Sequence, residues 1–197
     1  MLDSNSILNW VIGAVLLFWA VGAYNRLVRL RGEANTAFAE LDAELVKQAK
    51  LVRSLTNEAD PPPASVFDGT EPSFWAGLQG AAGQLEASLA SARGRPLDPE
   101  RIAALGAAQS VLVMAWERAE RDDAHDLAGP RLPETITGTR AQMVVQCAGA
   151  AERFSQAVNR YNEAIAQFPA LLLAWLFGFK PGRGLEPMRA SPALGVS

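Results

Sequence analysis

The hydrophobic pattern of this chain changes once near the N-terminus, from an unbroken apolar run to a regular alternation of apolar and polar positions. Residues 7–23 carry no charge, and these 17 residues are at the short end of what crosses a hydrocarbon core of roughly 30 Å. Trp10 near one end, and Trp19 and Tyr24 toward the other, stand where aromatic rings reach the lipid headgroups. The pattern therefore predicts a membrane-spanning helix.

Two other interpretations of the apolar run are less favoured. A cleaved signal peptide carries Lys or Arg before its apolar region, and the first six residues here offer only Asp3 and the α-amino group. Val21-Gly22-Ala23 would nevertheless suit a cleavage site. A buried core helix would not require an uncharged run of this length with aromatic residues near its ends.

Three arginines, Arg26, Arg29 and Arg31, follow the apolar run within eight residues, and no lysine or arginine precedes it. The positive-inside rule then places the N-terminus outside and the long C-terminal part in the cytoplasm. The same arginines are expected to face anionic lipid headgroups.

From Tyr24 onward, apolar or small residues recur every three or four positions, which is the pattern of an amphipathic helix. No proline separates this pattern from the span, and it ends before Pro61-Pro62-Pro63. Asp98 and Pro99 are suited to the N-cap and first position of a later helix. The predicted amphipathic helices cover residues 24–58, 73–93, 99 to a turn at 129–133, and 134–168.

Four such stripes predict an all-α fold in which the N-terminal transmembrane helix continues into an antiparallel up-down four-helix bundle. The domain organisation is then an anchor segment over residues 1–23, a bundle over 24–169, and an apolar segment with a disordered tail over 170–197. Disorder is expected after Gly182, where the composition is rich in Gly, Pro and Ser.

Gly77, Gly80 and Gly83 recur every three residues in the second amphipathic helix, and each costs about 1 kcal/mol relative to alanine in a helix interior. One interpretation is a groove for close approach of a partner helix. The other, which is favoured, is tight packing within the bundle or an irregular helix.

An up-down bundle returns the end of its fourth helix to the membrane, where ten uncharged residues, 170–179, follow. They are too few to span a bilayer, which leaves two interpretations of equal weight. The segment either folds back over the end of the bundle or lies in the lipid interface. The interfacial contacts would come from Leu172, Trp175, Phe179 and Lys180.

The net charge is −3 and the pI is near 5.3, and no basic face or stripe is found outside the three arginines after the span. No nucleic-acid partner is therefore predicted. Cys147 is the single cysteine and falls on the apolar stripe of the fourth helix, where a buried small hydrophobic residue is expected. Phe154 and Tyr161 share that stripe and are predicted to pack in the core.

Candidates for catalysis are few. His125 is the single histidine and lies in the run Asp122-Asp123-Ala124-His125-Asp126, whose carboxylates and imidazole are competent metal ligands. A solvated helix end is the favoured interpretation, because charge clusters of this kind usually have that role. The chain has no GxxxxGK[ST], HExxH or GxSxG motif, and we predict no catalytic site, metal site or cofactor.

Two stretches resemble the LemA family of bacterial membrane proteins. The first, YNRLVRLR at residues 24–31, directly follows the span; the second joins RYNEAIAQFP at residues 160–169 to LFGFKP at residues 176–181. The resemblance implies a helical bundle behind one anchor in a bacterial inner membrane, and no known enzymatic activity, cofactor or catalytic residue. Residues 41–55 lack the double basic pair and the proline of the family's corresponding stretch, so the chain resembles a divergent member.

The predicted function is a membrane-anchored, non-enzymatic scaffold or adaptor at the cytoplasmic face, whose partners are membrane lipid and an unidentified membrane or cytoplasmic protein. A first alternative is membrane organisation or remodelling by homo-oligomers, which the resemblance permits because some LemA-like proteins are linked to internal membrane compartments. A second, less favoured alternative is an enzyme that uses the Asp122–Asp126 cluster.

Overall fold

The computed structural model describes residues 4–58, 75–124, 134–168 and 170–186. These residues form helices and no strands, as the hydrophobic pattern predicts. The helices are α1 (Ser4–Glu58), α2 (Ala76–Gly94), α3 (Pro99–Ala124), α4 (Glu134–Ala166) and α5 (Ala170–Phe177). With 55 residues, α1 is about 80 Å long.

Helix α1 has an exposed apolar part and a partly buried amphipathic part, with no break between them. The side chains of residues 8–19 are exposed, whereas from Leu27 onward one or two positions in each turn are buried. The predicted stripe is interrupted at Gln48, and the neighbouring Ala49 is buried in its place. By length and composition, α1 is the one helix in the described part of the chain that could cross a membrane.

Ion pairs and hydrogen bonds between side chains show that the neighbours of α1 run antiparallel to it. Along α4, Arg153 Nε donates to Glu40 Oε2 at 3.1 Å, whereas Arg26 Nη1, earlier in α1, donates at 3.2 Å to Oε1 of Gln167, which follows the last residue of α4. Along α2, Arg93 donates two hydrogen bonds to the carboxylate of Asp42, at 2.7 and 3.0 Å, whereas Arg53, later in α1, pairs with Glu86, earlier in α2. The helical bundle is therefore confirmed as an up-down arrangement.

Helix α3 follows α2 after a short turn and begins where the sequence predicts. The Asp98 carboxylate accepts hydrogen bonds from the backbone N–H groups of Glu100 at 3.1 Å and Arg101 at 3.4 Å. Pro99 occupies the first helical position, where its missing N–H costs nothing. The N-cap prediction at Asp98 is confirmed.

Helices α3 and α4 are farther apart than the other neighbouring pairs of the bundle, α1 with α4, α2 with α3 and α1 with α2. Their Cα atoms stay more than 8 Å apart throughout the described residues. Long side chains cross this seam: the Gln109 side chain donates to Cys147 Sγ at 3.3 Å, and the Arg140 guanidinium lies 5.3 Å from the centre of the Trp116 ring. Cys147 and Phe154 are buried, as predicted from the stripe of α4.

Residues 180–186, here called the strap, fill the part of the α3–α4 seam that lies toward the apolar segment of α1. The Asn162 side chain donates to the Gly182 carbonyl and accepts from the Gly182 N–H, both at 2.8 Å. Ser155 Oγ donates to the Leu185 carbonyl at 2.6 Å, and the Leu185 side chain is only 3% exposed. It packs against Gly106, where an added Cβ would lie 3.2 Å from Leu185 Cδ1.

The expectation of disorder directly after Gly182 is wrong for residues 183–186. Composition suggested a solvated tail, but one apolar side chain, Leu185, finds a site between two helices that leave room for it. The rest of the tail, from residue 187, lies outside the described residues.

Candidate membrane interface

The segment after α4 folds back onto the bundle as helix α5. Ala170 and Ala174 are buried against a small apolar cluster that includes Leu27, Tyr161 and Ile165. Small side chains on this face allow α5 to approach both α1 and α4. The segment therefore covers the end of the bundle with one face, and lipid contact by its other face stays a prediction.

Helix α5 ends in a tight turn that requires a glycine. Gly178 has φ +69°, and the Phe179 N–H donates to the Ala174 carbonyl at 2.9 Å. This is the Schellman arrangement, in which a left-handed residue reverses the chain just after the helix. The turn directs the chain from α5 into the strap.

The opposite face of α5 is apolar and unburied. Trp175 is 85% exposed, and the side chains around it form an apolar surface with Phe168. The other exposed apolar residues of α5 are Leu171, Leu172, Leu176 and Phe177. A short helix with one buried face and one exposed apolar face is the form that an interfacial membrane contact takes.

Aromatic contacts join α5 and its flanks to the end of the span. The Trp19 and Phe168 ring centres lie 5.3 Å apart, and Tyr24 lies 5.1 Å from Phe177 and 6.0 Å from Phe179. Trp19 and Tyr24, predicted as headgroup anchors, thus pack against Phe168, Phe177 and Phe179 at the junction between the apolar and amphipathic parts of α1.

The remaining apolar residues predicted for the interface differ in their surroundings. Trp10 is exposed at the other end of the span, and Leu172 and Trp175 are exposed on α5. Phe179 is half-buried beside Tyr24 and packs on the bundle end, so its ring is a structural contact as much as a surface one. This difference could not be predicted from the sequence, because it depends on the turn at Gly178.

The three arginines after the span have separate surroundings. Arg26 Nη1 donates to Gln167 Oε1 at 3.2 Å, and Arg29 lies 3.6 Å from the Glu33 carboxylate in an exposed pair. Such an exposed pair contributes little to stability. Arg31 points toward a different surface, near Tyr161.

Arg31 lines a cleft of about 430 Å³ together with Arg95, Lys180 and Asp98. Burial raises the pKa of the Tyr161 phenol at the edge of this cleft, and the positive charge of Arg31 opposes that shift. Arg95 was not singled out in the sequence. The up-down topology could have indicated Arg95. In such a bundle the turn between α2 and α3 lies at the same end as Arg31 and Lys180.

A second cleft, here called the junction groove, lies between α1, the end of α4 and the start of α5. Its volume is about 390 Å³. It is mainly apolar, and Arg26 and Gln167 provide its polar end. The residues that line it include Phe18, Trp19, Gly22, Arg26, Gln167 and Phe168.

The glycines of α2 have an unexpected position. Gly77, Gly80 and Gly83 are exposed, and a Cβ added at any of them would meet no atom within 4 Å. Tight packing inside the bundle therefore does not explain them, and the approach of a partner helix stays a prediction.

The acidic cluster is only partly described. Asp122 is exposed and lies 3.6 Å from the Arg118 guanidinium, as in a solvated helix end. His125 and Asp126 lie outside the described residues. Among the residues that are described, no three His, Cys, Asp or Glu side chains are grouped to hold a metal ion.

Comparison of the chain with family models, with curated proteins and with solved structures finds no match.

Proposed function

We propose that the protein is a single-pass, non-catalytic helical scaffold, which holds its bundle at a fixed height and orientation on the membrane for a protein partner. The observation that carries this proposal is the continuity of α1. One helix contains both the exposed apolar segment and a full stripe of the bundle core. A scaffold of this kind needs a rigid connection more than it needs a catalytic pocket.

The junction is reinforced in addition to being continuous. The contacts of Trp19 with Phe168, and of Tyr24 with Phe177, connect α1 to the chain just before α5 and to the last residue of α5. A bend of α1 between Trp19 and Tyr24 would have to break these contacts. The 33 residues of α4, about 50 Å of helix, give the scale of the distance from the membrane at which a partner would bind.

We place the bundle on the cytoplasmic side of a bacterial inner membrane. The support for this orientation is the group of arginines after the span and their absence before it. The support for the bacterial setting is the resemblance to the LemA family.

Membership of the LemA family is part of the proposal, and the structure supports it in one respect. The two stretches that carry the resemblance lie far apart in sequence but meet at the junction: Leu27 packs in one cluster with Tyr161, and Asn162 binds Gly182 just beyond the second stretch. Residues that share one structural task are expected to form one sequence signature.

Membrane remodelling by self-association is a second candidate, favoured by the exposed apolar face of α5. A short apolar helix at headgroup depth occupies area in one leaflet, which favours curvature. Vesicle deformation by the purified full chain would support this candidate over a scaffold that leaves vesicles unchanged.

The test of the scaffold proposal combines topology and partner labelling in cells. A proximity-labelling enzyme and a reporter that is active only in the cytoplasm are fused, in separate experiments, after Ser197. We expect an active reporter and strong labelling of a small set of proteins. The matched control places the same fusions behind the span alone, residues 1–33, so that proteins labelled only because they share the membrane can be subtracted.

Two outcomes would contradict the proposal. A silent reporter would place the bundle on the other side of the membrane. A reproducible hydrolase or transferase activity of the purified protein, lost when Asp122 or His125 is replaced, would make it an enzyme.

A further inference from the structure

We propose that the junction groove binds one anionic phospholipid, with an acyl chain along its apolar part and the phosphate at Arg26. This inference rests on the proposed membrane anchoring. It adds a specific lipid site to the general attraction between juxtamembrane arginines and anionic headgroups.

The apolar part of the groove is a hollow created by a missing side chain. On α1, Gly22 and Ala23 lie between the larger Phe18 and Trp19 and the bundle. A Cβ added at Gly22 would meet no atom within 4 Å, so the space beside this residue is open. Phe168 forms the opposite wall, where its ring contacts that of Trp19. The groove is therefore two-sided, unlike the surface of an isolated span.

The polar end of the groove lies on the side away from the bilayer centre. Arg26 is four residues after Gly22, or about 6 Å farther along the helix axis. This order matches a phospholipid, whose chains point to the bilayer centre and whose phosphate lies at the surface. A second helix would match the apolar part of the groove but not its charged end.

The arginine is also oriented for the task. Its Nη1 donates to Gln167 Oε1 at 3.2 Å, which ties the guanidinium to the end of α4. A guanidinium has several N–H donors in a planar fork, and it can bind a phosphate while it keeps one bond to an amide. Charge-assisted bonds of this type favour an anionic lipid over a zwitterionic one with the same chains.

The test measures lipid retention by native mass spectrometry of the full chain, released from nanodiscs that contain equal amounts of phosphatidylglycerol and phosphatidylcholine with identical chains. We expect one retained phosphatidylglycerol, with a preference over phosphatidylcholine of about tenfold, the size of one charge-assisted hydrogen bond. Gly22→Phe should fill the groove and abolish retention of both lipids. Arg26→Gln should keep retention but lose the preference.

Each variant has a matched control on the same helix. Gly13→Phe adds the same ring at another open glycine of the span, outside the groove, and should retain lipid like the unmodified protein. Arg29→Gln removes an equal charge from an exposed pair with Glu33 and should keep the lipid preference. Equal retention by Gly22→Phe and Gly13→Phe would overturn the lipid site.

Carbonate extraction of membranes separates this failure from failure of the proposed function. A full chain that is extracted by carbonate is not an integral anchor, and both proposals then fail. If the chain stays in the membrane while Gly22→Phe retains lipid normally, the anchor stands and only the groove proposal is wrong. Circular dichroism of every variant controls for loss of helix.

Discussion

Cys147 shows what the bundle interior does to a reactive group. Its side chain is 1% exposed, and desolvation raises the pKa of the thiol from 9.0 to about 11, although the hydrogen bond from Gln109 acts in the other direction. The thiolate is the reactive form. At pH 8 we expect iodoacetamide to label the folded protein at least tenfold more slowly than the guanidinium-unfolded protein, as measured by mass shift. Equal rates would contradict the burial of this thiol.

The same raised pKa predicts a pH dependence of stability. The folded protein holds Cys147 as the neutral thiol more strongly than the unfolded chain does. The contribution of this thiol to the free energy of unfolding is therefore complete below the ordinary pKa of 9.0 and is lost as the pH rises toward about 11. Thermal unfolding of the full chain in detergent should therefore show a lower midpoint at pH 10.5 than at pH 8. In Cys147→Ala, the part of this decrease that belongs to the thiol should disappear; an unchanged pH profile in that variant would contradict the assignment.

Asn162 is the residue on which the position of the strap depends most directly. Its amide makes a pair of hydrogen bonds with the Gly182 backbone. Asn162→Ala leaves those backbone groups without their partner, at a cost of about 1–3 kcal/mol. Limited proteolysis should then cleave the chain near residues 180–186 faster than in the unmodified protein. Asn159→Ala, an exposed asparagine on the same helix, is the control and should leave cleavage unchanged.

Replacement by alanine should change the free energy of unfolding in opposite directions at Gly184 and Gly83. A Cβ at Gly184 would lie 2.7 Å from Ser155 Oγ and 2.9 Å from Ser155 Cα, so Gly184→Ala should destabilise by about 1–3 kcal/mol. Gly83 is exposed in a helix interior with open space beside it, and Gly83→Ala should stabilise by up to about 1 kcal/mol. Chemical denaturation of the two variants checks both signs; a neutral Gly184→Ala would mean that the strap does not approach Ser155 this closely.

Among the helices, α5 is the one whose proposed task can be tested by position. A nitroxide is attached at residue 175 of the reconstituted full chain, in place of Trp175 and in a Cys147→Ala background. We expect it to be more accessible to oxygen, which concentrates in lipid, than to a water-soluble relaxation agent. A nitroxide in place of Val145, an exposed apolar residue on the body of α4, is the control and should show the opposite preference. Equal preferences at the two sites would place α5 outside the interface.

The helices and the strap differ in how far their positions could be predicted from the sequence. The stripe of α1, the start of α3 at Pro99 and the buried face of α4 follow from local signals: periodicity, a capping residue and a proline. The strap does not, because Leu185 is a single apolar residue in a Gly- and Pro-rich tail and its site is made by helices remote in sequence. Arg95 was missed for a related reason, since its importance comes from the end of the bundle at which a turn lies.

At the scale of the whole molecule, the strap takes the place of direct packing between α3 and α4. A chain that ends at Lys180 should therefore expose the seam and increase hydrogen exchange in α3 around Gly106, with little change in the part of α1 that packs on α4. A chain that ends at Glu186 keeps the strap and is the control. Hydrogen-exchange mass spectrometry compares the two; equal protection of α3 would show that the seam is held by the Gln109 and Arg140 contacts instead.

Because α1 is one continuous helix, the rotation of its apolar segment about the helix axis is fixed relative to the bundle. Because an α-helix turns about 100° per residue, one residue inserted within the span would rotate everything before it relative to the bundle by about that angle and displace it by about 1.5 Å. Trp10, which is exposed, would then point in a different direction relative to the exposed face of α5. The number of residues between Trp10 and the bundle thus sets the angle between the faces of the span and the faces of the bundle, and a partner that binds both at once would have to match that angle.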